Sequence, residues 1–212
     1  MKILSIETTS GTASISLLED NEIKSELSFK CPDIASRLSG YTEYVLGSNG
    51  CNPEELDLIV ISRGPGLWTG TRIGMGFAKG LASARNTAIF CVDTPGSLFY
   101  GMKEIKIPLL CLVNASRERM YVSYFNGRFD WKRAYPVKTM TYDRLYRFCS
   151  KKNLYLTGPG TSVLPRHIMR MKTVTVSAGH SCYPRSGINA LLALEKIRRN
   201  VSSLPLEPFY GK

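Results

Sequence analysis

Histidine is scarce in this 212-residue chain: only His167 and His180 occur. They stand thirteen positions apart, in neither H-x-x-x-H nor H-E-x-x-H spacing, and neither has an acidic neighbour in sequence. That excludes a helix-borne zinc site. The run "GHSCYPRSG" brings His180 near Cys182, but a dyad needs an orienting group, so both histidines are read as surface or loop residues. No C-x-x-C pair occurs among Cys31, Cys51, Cys91, Cys111, Cys149 and Cys182. Cys91 and Cys111 sit in the apolar runs "AIFCVD" and "PLLCLV", so buried free thiols are expected rather than a disulfide framework or a metal site. No apolar run is long enough to cross a bilayer, so no membrane contact is expected. The opening "MKILSIETTS" meets a Glu and hydroxyl residues within ten positions and reads as a strand, not a signal peptide. The expected compartment is the cytoplasm.

Acidic residues are scarce in one half only. Residues 1–105 hold 9 Lys and Arg against 12 Asp and Glu, whereas residues 106–212 hold 19 against 5. Such a surplus attracts polyanions, RNA among them; a compositional bias of the source is the alternative. The rest of the composition, 43% hydrophobic and 21% charged, is that of an ordinary globular chain.

The first half patterns as strands over Lys2–Thr8, Thr12–Leu18 and Ile23–Phe29, then a helix over Ile34–Leu46 with apolar residues at helical spacing. "GSNG" stops that helix. A short turn opens at Asn52-Pro53-Glu54-Glu55, and Asp57–Ser62 is apolar almost throughout, as in a strand covered on both faces. A glycine-rich turn, a helix over about Thr69–Ala84 and the strand "AIFCVD" complete a β-β-β-α-β-α-β order. The second half repeats the plan in abbreviated form. It offers the strand Pro108–Val113, a polar turn, the strand "MYVSYF", a hairpin signal at Asn126-Gly127 and a third strand in "RFDWKRAYPV". The helix "TYDRLYRFCSK", the strand "NLYLTG" and an amphipathic helix over Ser186–Arg199 follow. Two successive units of this kind indicate an α/β fold of duplicated ribonuclease-H-like, actin-type (ASKHA) lobes. The first lobe is 1–105 and the smaller, basic one 106–212, with a C-terminal tail able to pack back on the first.

Catalytic folds of this plan hold ATP between the lobes, with an acidic residue and a phosphate turn in each first hairpin. Overlaying "LSIETTSGTASISLL" on "CLVNASRERMYVSYF" sets Glu7 against Asn114. An amide is a weak Mg²⁺ ligand and no base. The turn "SRERMY" has no glycine to let its backbone wrap a phosphate. Glu7 is either a metal-side acid or a structural acceptor of backbone N–H groups. The run "RGPGLWTGTRIGMG" has neither Walker A spacing nor its lysine, and Gly74 and Gly76 fall inside the helix rather than before it. The helix start leaves weak anion binding at Thr69, Gly70 and Thr71 open. Within the helix, Gly70, Gly74 and Ala78 form one row and Gly76, Gly80 and Ala84 another, about 120° round the axis. Each interior glycine costs about 1 kcal/mol relative to alanine, so two close contacts are expected. One is the lobe's own sheet; the other is a helix of this chain or of another subunit.

These segments, with "LTGPG" and "LEPFYGK", occur in the order seen in the TsaB (YeaZ) family, which the chain resembles along most of its length; "GPGLWTGTRIG" is the specific part. The chain departs from the family pattern at Leu67-Trp68, and at Glu7 and Asn114, where an aspartate is usual. The resemblance implies a non-catalytic paralogue of the TsaD transferase, without its metal-binding histidines and with no cofactor. It implies a role in placing threonylcarbamoyl on the anticodon-loop adenosine of tRNAs reading ANN codons. Implied partners are a TsaD-like transferase, a TsaE-like ATPase and, in isolation, a second copy. The implied interface is carried by Leu38, Tyr41, Thr42, Val45, Trp68, Thr69, Arg72, Met75, Gly76 and Lys79. Of these, Tyr41, Val45, Trp68, Arg72, Met75 and Lys79 are expected to be exposed. Arg198 and Arg199 are candidate tRNA contacts. An actin-fold ATP-dependent kinase and a peptidase are the alternatives.

Overall fold

The apolar runs of the first half build a sheet buried on both sides. Strand β1 (Lys2–Glu7) pairs antiparallel with β2 (Ala13–Glu19), Glu7 opposite Ser14, and parallel with β4 (Leu58–Ser62), Ile3 opposite Leu58. Strands β3 (Glu22–Phe29) and β5 (Ala88–Val92) complete the order β3-β2-β1-β4-β5. The structure, a computed structural model, describes residues 1–30, 32–132 and 134–210, with the side chains of His180 and Ser181 left out. On one face, Leu4, Ile6, Ile59 and Ile61 pack against Leu38 and Val45 of α1 (Ile34–Gly47) and Ala78 and Ala82 of α2 (Trp68–Arg85).

The second sheet has the order β10-β9-β6-β7-β8, formed by β6 (Leu109–Ser116), β7 (Arg119–Phe125), β8 (Lys138–Thr141), β9 (Leu154–Thr157) and β10 (Val174–Val176). Its first strand again lies between its second, antiparallel, and its fourth, parallel. The duplicated actin-type α/β fold expected from the sequence is the one observed. Helices α4 (Tyr142–Cys149) and α5 (Arg166–Met169) cover one face through Leu145, Cys149 and Ile168, and Phe99 of α3 (Thr94–Gly101) covers the other.

Besides α5 and β10, which lie in a stretch where the sequence suggested no element, three features differ from the sequence reading. The described residues of 128–137 do not form the third strand; that strand is β8, paired with Arg119–Val122. The loop curls because its aromatic residues turn inward: Tyr135 meets Phe99 edge-on at 4.9 Å, and its hydroxyl accepts the Asp130 N–H at 2.8 Å. Helix α3 lies where no element was expected. Helix α6 (Ser186–Arg198), assigned by sequence to the second lobe, covers the other face of the first sheet, with Ala190, Leu192 and Ala193 against Ile3, Val60 and Val92. The chain then continues past the first lobe, where the Cys91 N–H donates to Ser203 Oγ at 2.8 Å. Cys51, Cys91, Cys111, Cys149 and Cys182 are buried free thiols. Burial pushes the Cys91 and Cys149 thiols up to about 11. Cys31 lies outside the described residues, as do Gly211 and Lys212 of "LEPFYGK".

Candidate docking face and interlobe cleft

Glu7, at the end of β1, is fully buried. Its Oε1 accepts the Thr9 N–H at 2.6 Å and the Thr9 hydroxyl at 2.5 Å, and its Oε2 accepts the Asn189 amide of α6 at 2.9 Å. Burial raises its carboxyl above the usual range, and these hydrogen bonds oppose the rise. The network extends through Thr9 Oγ1 to Thr94 Oγ1 at 3.2 Å and on to Ser62 Oγ at 3.4 Å. Both carboxylate oxygens of Glu7 are therefore used inside the fold, which is the structural role the sequence left open. The turn that would face a phosphate is filled by the chain itself. A Cβ on Gly66 would run into the Thr9 carbonyl, and that carbonyl takes the Leu67 N–H at 2.7 Å. Its counterpart Asn114 is exposed, as are Ser116, Arg117 and Glu118 of the turn after it. Among the described residues no three His, Cys, Asp or Glu side chains gather as a metal ion requires. Glu7, the filled turn and Asn114 do not fit Mg²⁺ and a nucleoside triphosphate.

The two glycine rows of α2 divide cleanly. A Cβ at Gly70 would meet the Thr8 carbonyl and one at Gly74 the Thr8 hydroxyl, whereas at Gly76 and Gly80 a Cβ meets nothing within 4 Å. The first row is the contact with the chain's own sheet. The second opens on solvent, and Gly40, Tyr44 and Gly47 of α1 are exposed as well. Trp68, 54% exposed, Thr69, Arg72 and Lys79 share this open side, and Tyr41 is half-buried against Phe29 at 4.4 Å.

Four residues assigned to the interface are corrected: Leu38, Thr42, Val45 and Met75 are 1–5% exposed, and Leu38 and Val45 pack on the sheet rather than facing solvent. The anion site is corrected as well. Gly70 and Thr71 are buried, and the Thr71 N–H and hydroxyl both go to the Leu67 carbonyl, at 2.9 and 2.8 Å. Only Thr69 faces out.

Sequence reasoning missed the part of this face supplied by the C-terminal tail. Tyr210 stacks on Trp68 with centroids 4.1 Å apart, and its hydroxyl accepts Arg72 Nε–H at 2.9 Å, while the Arg72 guanidinium lies 3.7 Å over the Trp68 ring. The Phe209 N–H donates to the Arg63 carbonyl at 2.8 Å. Trp68, Tyr210 and Asn114 line one cleft of about 380 Å³. The tail's aromatic pair was the available signal, but its contact lies more than a hundred residues away in sequence. At the far end of α6, Arg198 reaches Glu195 at 3.1 Å and Asn21 at 2.5 Å, and Arg199 reaches Glu195 at 3.6 Å; both are about half exposed. His167 lies 5.5 Å from the Tyr146 ring on the exposed side of α5. The side chain of His180 is outside the described residues, so the reading of it rests on sequence.

Residues 32–181 match the family described as tRNA N6-adenosine threonylcarbamoyltransferase, TsaD. Two relatives are named tRNA threonylcarbamoyladenosine biosynthesis protein TsaB. That of Escherichia coli (strain K12) is 30% identical over 95 residues, 44% of this chain and 41% of its own length. That of Bacillus subtilis (strain 168) is 29% identical over 134 residues, 61% and 58% of the two lengths. The matched region thus spans less than two thirds of either relative. The solved structure of YeaZ from Pseudomonas aeruginosa superposes with a TM-score of 0.77 over 99% of both chains at 20% identity, a likeness of fold. No helix among the described residues is long and apolar enough to cross a membrane.

Proposed function

Because the chain belongs to the TsaD family, and to its TsaB (YeaZ) group, we propose that it serves the biosynthesis of tRNA threonylcarbamoyladenosine as a non-catalytic subunit that docks on a TsaD-type transferase. The observation that carries this reading is the open glycine row: a Cβ on Gly76 or Gly80 would meet nothing within 4 Å beyond its own helix backbone, and Trp68 and Arg72 on the same side are exposed. Glycines that cost helix stability without serving the chain's own packing let a second backbone approach closely. A partner helix pair laid on α1 and α2 would cover Tyr44, Gly76, Gly80 and Trp68. Apolar area covered there contributes about 25 cal/mol per Å² before association costs are deducted. A TsaE-type ATPase joins this pair, and in isolation a second copy takes the same face. Arg198 and Arg199 stand in this reading as tRNA contacts.

The filled phosphate turn and the use of both Glu7 oxygens weigh against the ATP-dependent kinase. The peptidase reading lacks a nucleophile with an oriented base among the described residues. Replacing Gly76 with Leu tests the docking face, since the added side chain meets none of this chain's atoms within 4 Å at its Cβ and so spares the fold. Sedimentation velocity with the TsaD-type partner should show association weakened at least about tenfold, equivalent to 1.4 kcal/mol. Unchanged association removes α2 as the contact.

A further inference from the structure

The loop between β7 and β8 is left unused by docking through α1 and α2. It runs from Asn126 to Val137, and its described residues form no helix or strand. Its inner aromatics hold it in place: Phe129 lies 5.5 Å from Tyr135 and 5.8 Å from Tyr100. Trp131, half-buried, sits against Phe129 at 4.7 Å and carries the Arg199 guanidinium 4.3 Å over its ring. Half of the Arg199 side chain is exposed, and Glu195 holds it from the helix side at 3.6 Å. Trp131 and Arg199 therefore make a flat, cationic wall.

That wall bounds an open cavity of about 520 Å³, which Arg128 and Lys132 also line with exposed side chains. The volume is that of a small-ligand site, about 300–1,000 Å³. The acid lining it is Asp130, whose carboxylate accepts the Lys132 backbone N–H at 3.0 Å. A guanidinium on an indole accepts a base on its face, and cations at the rim accept the phosphates on either side. The surplus of 19 Lys and Arg over 5 acids in residues 106–212 gives the region the sign that RNA requires.

We propose that this cavity binds one nucleotide of single-stranded RNA, the base on the Arg199–Trp131 pair and the neighbouring phosphates on Arg128 and Lys132. The inference rests on the reading that the chain serves tRNA modification, and it locates the tRNA contact around Arg199.

The test uses the full chain, a labelled ten-nucleotide uridine oligomer, and an abasic oligomer of equal length and charge. Anisotropy titrations at several salt concentrations give affinity and salt slope. The uridine oligomer should bind about tenfold more tightly than the abasic one, the return expected from one stacked base. The R128E/K132E variant should weaken binding at least tenfold and lower the salt slope by about 2. The R166E/R170E variant, with the same charge change at two exposed positions at the start of α5 and just past its end, should weaken it less than threefold. In a Trp68→Phe background the remaining Trp131 fluorescence should be quenched by the uridine oligomer. Equal binding of the two oligomers, or equal losses in the two charge variants, reduces the interaction to diffuse charge and overturns the site. Absence of RNA binding while the chain still sediments with its partner also overturns it and leaves docking intact. Unaltered docking of Gly76→Leu overturns the docking reading without touching this result.

Discussion

Asp93 shows how one residue ties the two lobes to pH. It follows β5, caps α3 by accepting the Gly96 N–H at 2.6 Å, and is buried. Burial pushes its carboxyl up to about 6, partly opposed by the Gly96 hydrogen bond and the charges of Lys196 and Arg63. Between the ordinary value of 3.8 and about 6, the folded chain keeps a proton that the unfolded chain has released. Its contribution to stability is therefore full at the acid end and is lost as pH rises through that window, by on the order of 3 kcal/mol. Glu7, raised by burial in the same way, acts in the same direction. Asparagine caps helices as well as aspartate does. Asp93→Asn should keep α3 capped and make the thermal midpoint fall less between pH 4 and 7 than in the parent chain. Parallel midpoint curves for the two proteins would place the pH dependence elsewhere.

Within α2, glycines of one residue type have opposite meanings. At Gly74 a Cβ would strike the Thr8 hydroxyl, which itself donates to the Gly70 carbonyl at 2.8 Å. At Gly80 it would stand in open space. Gly74→Ala should lower stability by about 1–3 kcal/mol through overpacking. Gly80→Ala should raise it by about 0.5–1 kcal/mol by stiffening the helix. Chemical denaturation of the isolated chain separates them, and a loss at both positions would mean that the second row also packs internally. The proposed docking would read the same contrast from the partner's side, since the stabilising substitution falls on the exposed face.

The whole molecule is closed by its own end. Helix α6 covers the face of the first sheet that carries Ile3, Leu58, Val60, Phe90 and Val92. Uncovering a side chain of this size costs about 1.5–3 kcal/mol, so losing several together exceeds the roughly 5–15 kcal/mol that holds a domain folded. A fragment of residues 1–105 should therefore show no cooperative unfolding transition by circular dichroism, and supplying residues 186–210 as a separate chain should restore one. A fragment that melts cooperatively by itself would mean the first lobe is independent of α6.

Much was settled by local pattern. The continuous apolar run of β4 and the helical spacing of α1 and α6 marked the repeated α/β plan, and Gly70 with Gly74 marked a helix that approaches its own sheet closely. Helix α3 was hidden because Thr94 to Tyr100 are all buried, leaving no polar face to beat with helical period; only the Asp93 cap and Pro95 announced it. The course of residues 128–137 was hidden because inward aromatics in a loop carry the same β-propensity as those in a strand. Sequence alone determined the order of strands and helices in the first lobe as far as β5 and which helix has small residues to spare. Only the folded chain decided which glycine row is covered, that α6 belongs to the first sheet, and that Tyr210 stacks on Trp68. Those outcomes depend on contacts between residues far apart in sequence, which no local period records.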